Sequence, residues 1–453
     1  MKEAKQQDGK LSMRERICFG CGHGGGGVIF NTLMGSFMLA YYTDTLLLDA
    51  AAIATMFLIA RFFDGITDVV FGSLVDRTNT RWGKARPWIL VSAFLMGFSV
   101  ISCFWAPVNL GGTAKLVYAY ITYFFAACIA FTIFNISDYA LLARMTRNVD
   151  ERTNASTVMM IINNIVIILI GAAVAPMVSK LGWRTTAIIL GVVTFIFFLI
   201  EFLGTKERVG QVDDIQEEEL PVKDALKGIA KNKYFWMLAA FETVLCILNV
   251  NSQQAAIYYC NWVLKDPMYI STLLSIATIP SIIILFFIPV ISKKFSKNFV
   301  MMGSAVIMAV GFLFCAFAGT SHTMALIGVA LRGVGISPLW SVPMAMVGDI
   351  SDYNEWKTGA RSAGMCSMGM SVGSKIGMGL GSAVTGWILA FFGYNAAAKA
   401  QTAEVIGGIN FSFGWLNVIM TVVLFVIAYF MNIHKVMPQI QKDLEERKAA
   451  QHK

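Results

Sequence analysis

Twelve long apolar runs constrain this chain more than any other feature. They lie at roughly 17–42, 47–71, 87–107, 115–141, 156–178, 185–204, 235–263, 268–291, 299–319, 323–347, 362–392 and 408–432. A helix of about 20 apolar residues crosses the hydrocarbon core of a bilayer. In lipid each backbone polar group needs a partner within its own segment, so such runs are helices. The expected fold is therefore an all-α polytopic membrane protein with twelve transmembrane helices. Composition agrees: 57% of the 453 residues are hydrophobic and 14% are charged, against about 25% charged in soluble domains. No cleavable signal segment is visible, because the charged stretch Lys2 to Arg16 runs directly into the first apolar run.

The net charge of +8 reports topology rather than a nucleic-acid partner. Of the 36 Lys and Arg, five fall outside (Lys115, Lys180, Arg184, Lys265, Lys399) and three within runs (Arg61, Arg332, Lys375). The rest lie in segments placed inside, a bias that makes both termini cytoplasmic. The location is then the cell (plasma or inner) membrane, crossed many times. The longest charged gap separates the sixth and seventh runs. It divides the chain into an N-terminal six-helix half (1–204), a cytoplasmic linker (205–234), a C-terminal six-helix half (235–432) and a cytoplasmic tail (433–453). A short repeat supports two related halves: Ile136-Ser137-Asp138-Tyr139 closes the fourth run and Ile350-Ser351-Asp352-Tyr353 follows the tenth.

Charges inside the membrane single out the chemistry. Arg61, Asp64 and Asp68 share one side of the second helix, because residues three and four apart are neighbours. Two carboxylates one turn apart in a low dielectric do not both stay ionised without a cation or proton. Such intramembrane groups usually face a polar cavity and bind or relay ions. A basic loop follows, with Asp76, Arg77, Arg81, Lys84, Arg86 and Pro87. Other polar residues in the runs include Asn31, Asn135, Asn163, Asn164, Glu242, Asn249, Asn251, Gln253, Arg332, Trp340 and Lys375. Asn135, Tyr139, Asn251 and Trp340, with Asn31 or Asn163, offer the amides, hydroxyls and aromatic faces that a sugar needs.

Two other patterns carry less. Cys18 and Cys21 form a CxxC with His23 two residues on, but haem attachment needs the His directly after the second Cys. No second Cys pair completes a zinc site, so packing cysteines are the reading. Gly22, Gly24 and Gly27 match GxGxxG without the strand that gives that pattern meaning. Close helix packing, or an irregular helix lining a cavity, accounts for them. No nucleophile–base constellation appears, so an enzyme is not expected, nor a cofactor.

Gly72-Ser-Leu-Val-Asp76-Arg77, followed by Arg81 and Gly83-Lys84, resembles the loop between helices two and three of the major facilitator superfamily. Asp64-x3-Asp68 with Arg81-Trp-Gly-Lys-Ala-Arg-Pro87 is similar to the glycoside–pentoside–hexuronide:cation symporters within it. Asp349-Ile-Ser-Asp352-Tyr353-Asn-Glu355-Trp-Lys-Thr-Gly359-x-Arg361, with Lys375 beyond, and Gly393-Tyr394-Asn395 agree. The resemblance runs from about Arg14 to the end of the twelfth run. It implies secondary active symport of a sugar or glycoside with H+ or Na+, by alternating access. It implies that Asp64 and Asp68 hold the cation, that Lys375 lies near both cation and sugar, and that Trp340 lies beside the sugar. Tyr139 falls where a family member stacks a Trp on the sugar. The cytoplasmic gate would comprise Asp76, Arg77, Arg81, Lys84, Arg86, Arg152, Asp349, Asp352, Glu355 and Arg361, bridging the halves when the protein opens outward.

The chain departs from the family at the sugar. His23 and the glycines around it stand where members have helix-one acids, Asn135 replaces a helix-four acid, and Met160 replaces a helix-five Arg. Without a third carboxylate the Asp pair favours a proton; an oxygen such as Thr132 would still serve sodium. Arg332, with Lys375, suggests an acidic glycoside such as a hexuronide. The expected partners are that small molecule, the coupling cation and the lipid bilayer, with no nucleic acid and a monomeric chain. Other readings are a carrier of a lipid or amphipathic solute, or a non-transporting sensor on the same fold.

Overall fold

The computed structural model describes residues 10–106, 111–146, 148–208, 232–358 and 363–451. It is helical throughout. The N-terminal half comprises α1 (residues 13–45), α2 (Ala50–Arg77), α3 (Arg86–Cys103), α4 (Gly112–Met145), α5 (149–181) and α6 (183–204). The C-terminal half comprises α7 (Lys233–Val263), α8 (Tyr269–Lys294), α9 (Lys297–Phe317), α10 (His322–Thr358), α11 (Ala363–Phe391) and α12 (403–430). A last helix, α13 (Met437–Gln451), follows. Among the described residues nine helical stretches are long and apolar enough to cross a membrane. The longest is divided at Gly182, and the glycine-rich α1 and α11 are further helices, an arrangement consistent with the twelve apolar runs. Most of the linker lies outside the described residues.

Local chemistry sets the helix ends. Asp49 caps α2 by accepting from Ala52 N (2.8 Å), and Asn232 caps α7 by accepting from Tyr234 N (3.0 Å). Pro87 sits in the first turn of α3, where its missing N–H costs nothing. Gly182 adopts φ 76°, a left-handed turn that a Cβ would oppose, and it reverses the chain between α5 and α6. The repeated tetrapeptides take matching places in the last turns of α4 and α10. Ser137 and Ser351 are fully buried in both.

α1 departs from regular geometry in three π-helical stretches, Cys21–Gly27, Leu33–Phe37 and Tyr41–Thr45. The glycines of the first let α1 lie close to α5 and α6: a Cβ on Gly24 would meet Met159 O at 2.5 Å, and one on Gly25 would meet the Phe197 ring at 2.9 Å. Large apolar side chains such as Phe62, Phe286 and Phe391 point away from the bundle, 75%, 76% and 84% exposed, as lipid contact requires.

Core packing differs at the two ends. Away from the chain termini, one continuous core joins both halves, from Met38 and Tyr42 to Tyr258, Leu389 and Phe413. At the termini end each half has its own: Phe19, Ile89, Leu141 and Phe202 in one, Leu238, Met301, Met346 and Ile440 in the other. The halves are thus sealed together at one end and separately packed at the other.

Candidate functional site

A cavity of about 800 Å3 lies between the halves, large enough for a small glycoside. Asp64 reaches it from α2. Its Oδ1 accepts a hydrogen bond from Thr132 Oγ1 of α4 at 2.9 Å, and its Oδ2 lies 3.7 Å from Arg61 Nη1. One turn along, Asp68 forms an ion pair with Lys375 of α11. That pair crosses between the halves, and Lys375 also lines the cavity. Two carboxylates, a hydroxyl and two cations thus stand in a row along α2.

One wall of the cavity is rich in amides and hydroxyls. Asn135, Tyr139, Arg332, Trp340 and Lys375, together with Asn31 and Asn163, line the cavity. Arg332 Nη2 donates to Asn249 Oδ1 of α7 at 3.1 Å. Met160, in place of the family's helix-five arginine, is exposed one turn before Asn164, and α5 presents Asn163 and Asn164 to the cavity. Asn251 requires a correction. Its side chain is fully buried: Nδ2 donates to Ser412 O (2.8 Å) and Asn417 Oδ1 (3.1 Å), and Oδ1 accepts from Thr385 (2.9 Å) and Ser412 (3.0 Å). It ties α7 to α11 and α12 and has no bond left for a sugar. Asn249 and Gln253, two residues to either side, take the cavity-facing positions; both were visible as polar residues in the seventh run, but the helical phase was needed to choose between them.

Beyond the cavity the halves are latched at the end away from the termini. Ser36 Oγ donates to Gln253 Oε1 (3.3 Å), Thr43 Oγ1 and Tyr258 OH are 2.7 Å apart, and Tyr394 OH donates to Asp44 Oδ1 (2.8 Å).

The residues expected to form the gate lie at the other end. The loop after α2 folds onto its own half: the N–H groups of Lys84, Ala85 and Arg86 donate to the Glu207 carboxylate at 3.0, 2.8 and 2.9 Å. Arg86 Nη2 donates to Phe202 O (2.8 Å), Arg81 sits over the Trp82 ring, and Arg77 is exposed at the end of α2. Arg152 donates to Thr146 O and Ala143 O, both at 2.9 Å. Across the cleft Asp349 pairs with Lys297 (2.7 Å), and Asp352 and Glu355 are half-buried near the end of α10. Each of these named pairs joins residues of one half. The Asp76 side chain and Arg361 lie outside the described residues.

Glu201, the lone acid of the sixth run, was not singled out from sequence. It is fully buried in α6 beside Asp138, which pairs with His23. A carboxylate inside an apolar run is the signal that could have found it.

Comparison with known proteins identifies the family. The family model described as MFS/sugar transport protein matches residues 18–435. The chain is 28% identical over 433 residues to an isoprimeverose transporter of Lactiplantibacillus pentosus, covering 93% of this chain and 89% of that one. It is 30% identical over 449 residues to the uncharacterised symporter YnaJ of Bacillus subtilis, covering 97% and 96%. The crystal structure of a D-xylose-proton symporter superposes with a TM-score of 0.67 at 14% identity, covering 92% of this chain and 97% of that one, which shows the shared fold. The chain is a multi-pass membrane transporter, not an enzyme, and belongs to the MFS/sugar transport protein family, the glycoside–pentoside–hexuronide:cation symporters of the major facilitator superfamily.

Proposed function

We propose that this symporter couples glycoside uptake to H+ or Na+ at Asp64 and Asp68, with Thr132 supplying a further oxygen. The observation that carries the reading is the Asp68–Lys375 ion pair, which joins the cation carboxylates on one half to a cavity-lining cation on the other. A cation arriving at the carboxylates competes with Lys375 for Asp68. Lys375 is then released toward the ligand, and occupancy of one site changes the affinity of the other. With both termini cytoplasmic, the latched end is the outer gate and the conformation is inward-facing.

The substrate class follows from the wall. Asn135, Tyr139 and Trp340 suit a sugar ring, and isoprimeverose, the disaccharide named for a relative, is a fitting first probe. A uronide is the second reading. Arg332 faces the cavity with an amide oxygen, not a carboxylate, as the partner of Nη2.

The test uses proteoliposomes containing the purified chain. Labelled isoprimeverose and labelled methyl glucuronide are followed in counterflow and in gradient-driven uptake. Asp64→Asn and Asp68→Asn are expected to abolish accumulation against a gradient while counterflow persists, because exchange needs the cavity but not the coupling. Wild-type accumulation in both variants would make the carboxylates structural.

A further inference from the structure

The second buried acid cluster has no role in the reading above. Glu201 on α6 is fully buried, and among the described residues neither of its carboxylate oxygens meets an N–H or O–H donor. The polar group it faces is the Asp138 carboxylate of α4, within hydrogen-bonding reach and itself an acceptor. Asp138 is 1% exposed; its Oδ2 lies 3.0 Å from His23 Nδ1, and its Oδ1 has no partner. Two acceptors at bonding distance make a hydrogen bond when one of them carries a proton. Without that proton, two charges and three oxygens would be buried unsatisfied.

We propose that His23, Asp138 and Glu201 form a proton-binding site, separate from the Asp64/Asp68 pair, that loads from the substrate cavity through His23. His23 lines the cavity and stands beside Tyr139, with ring centroids 5.9 Å apart, so it faces both the substrate wall and the buried acids. The other titratable groups around the cluster are Cys18 and Cys21 of α1 and Tyr139 of α4. None of them is a Lys or Arg, so among the described residues no fixed positive charge replaces the proton. The cluster is neutral with two protons beyond neutral imidazole and two carboxylates; releasing one to cavity water leaves one buried negative charge.

The ligand is a proton rather than a metal ion: among the described residues no three His, Cys, Asp or Glu side chains are placed to hold a metal ion. A Cβ on Gly22 would overlap the Glu201 carboxyl, so that group lies directly on the α1 backbone. That backbone is the π-helical stretch Cys21–Gly27, a geometry that recurs at functional sites. Loading and release therefore act on the helix that lines both the cavity and the latch.

The test has two arms. Infrared difference spectra are recorded during a pH titration of the full-length chain in lipid nanodiscs. A protonated-carboxyl C=O band that shifts in heavy water is expected in the wild type, absent in Glu201→Gln and displaced in Asp138→Asn. An unchanged band in both variants overturns the proposal. Counterflow of labelled isoprimeverose and methyl glucuronide is then measured across the same pH range. A wild-type change of roughly fivefold or more is expected, flattened toward unity in His23→Gln; a wild-type profile in that variant overturns loading through His23. The second arm rests on the transport reading. If neither probe exchanges in the wild type, the substrate reading fails, while the infrared arm still decides the proton site.

Discussion

Arg332 shows how a single residue shapes this cavity. A charge nine residues into an apolar run can snorkel outward along its stem or turn inward to water and polar partners. Here it turns inward: Nη2 bonds Asn249, and Nε is buried without a partner. A ligand carboxylate would meet an arginine that is already desolvated, where charged hydrogen bonds are strong. Arg332→Gln is expected to weaken inhibition by methyl glucuronide about tenfold or more, from the loss of about 1.5–3 kcal/mol typical of a bond to a charged group. Inhibition by isoprimeverose should change little. An unchanged ratio of the two, in an uptake competition assay, would remove Arg332 from the site. Sequence placed this charge at depth; its partner Asn249 came from the way α7 and α10 pack, as did the different fates of Asn249 and Asn251.

Among the helices, close crossings carry much of the architecture. In lipid no hydrophobic drive holds helices together, so packing of small residues does. Gly311 of α9 and Gly328 of α10 show it: a Cβ on Gly328 would meet Gly311 O at 2.5 Å, and one on Gly311 would meet Gly328 O at 2.6 Å. The contacted atoms are backbone and cannot rotate away. Gly328→Val is expected to destabilise the C-terminal half by about 1–3 kcal/mol, seen as a lower thermal midpoint in detergent. At Gly303, where a Cβ meets nothing within 4 Å, Gly303→Ala should leave the midpoint near that of the wild type. The glycines of α1 were legible as packing residues or as an irregular helix. Their particular neighbours, Met159, Phe197 and the Glu201 carboxyl, depend on where α5 and α6 sit.

The whole molecule is a two-state device with one end latched. The shared core and the Asp44–Tyr394 hydrogen bond hold the halves together away from the termini, while at the other end the Lys84–Arg86 loop bonds Glu207 and Asp349 pairs with Lys297, each within its own half. Removing one latch bond shifts such an equilibrium by its own small free energy, about 1 kcal/mol or roughly fivefold in population. Tyr394→Phe deletes the hydroxyl shared by Asp44 and Trp262. In that background, a cysteine at Ser36 is expected to react several-fold faster with an impermeant maleimide added outside whole cells. An unchanged rate would mean that the core alone keeps this end shut.

The sequence by itself determined the class, the all-helical membrane fold and the family, because apolar run length answers to the bilayer rather than to neighbouring helices. It also marked Asp64, Asp68, Lys375 and Arg332, since a charge in lipid stands out without any knowledge of its partner. Tertiary structure alone decided which of those charges meet. Asp68 and Lys375 are 307 residues apart in the chain and become an ion pair through the crossing of α2 and α11. Helical phase turned Asn251 into a fully bonded strut and left Asn249 on the cavity wall. Packing of α1, α4 and α6 likewise assembled His23, Asp138 and Glu201 from three distant runs. Burial and proximity create their chemistry, and both are properties of the packed bundle, not of any one helix.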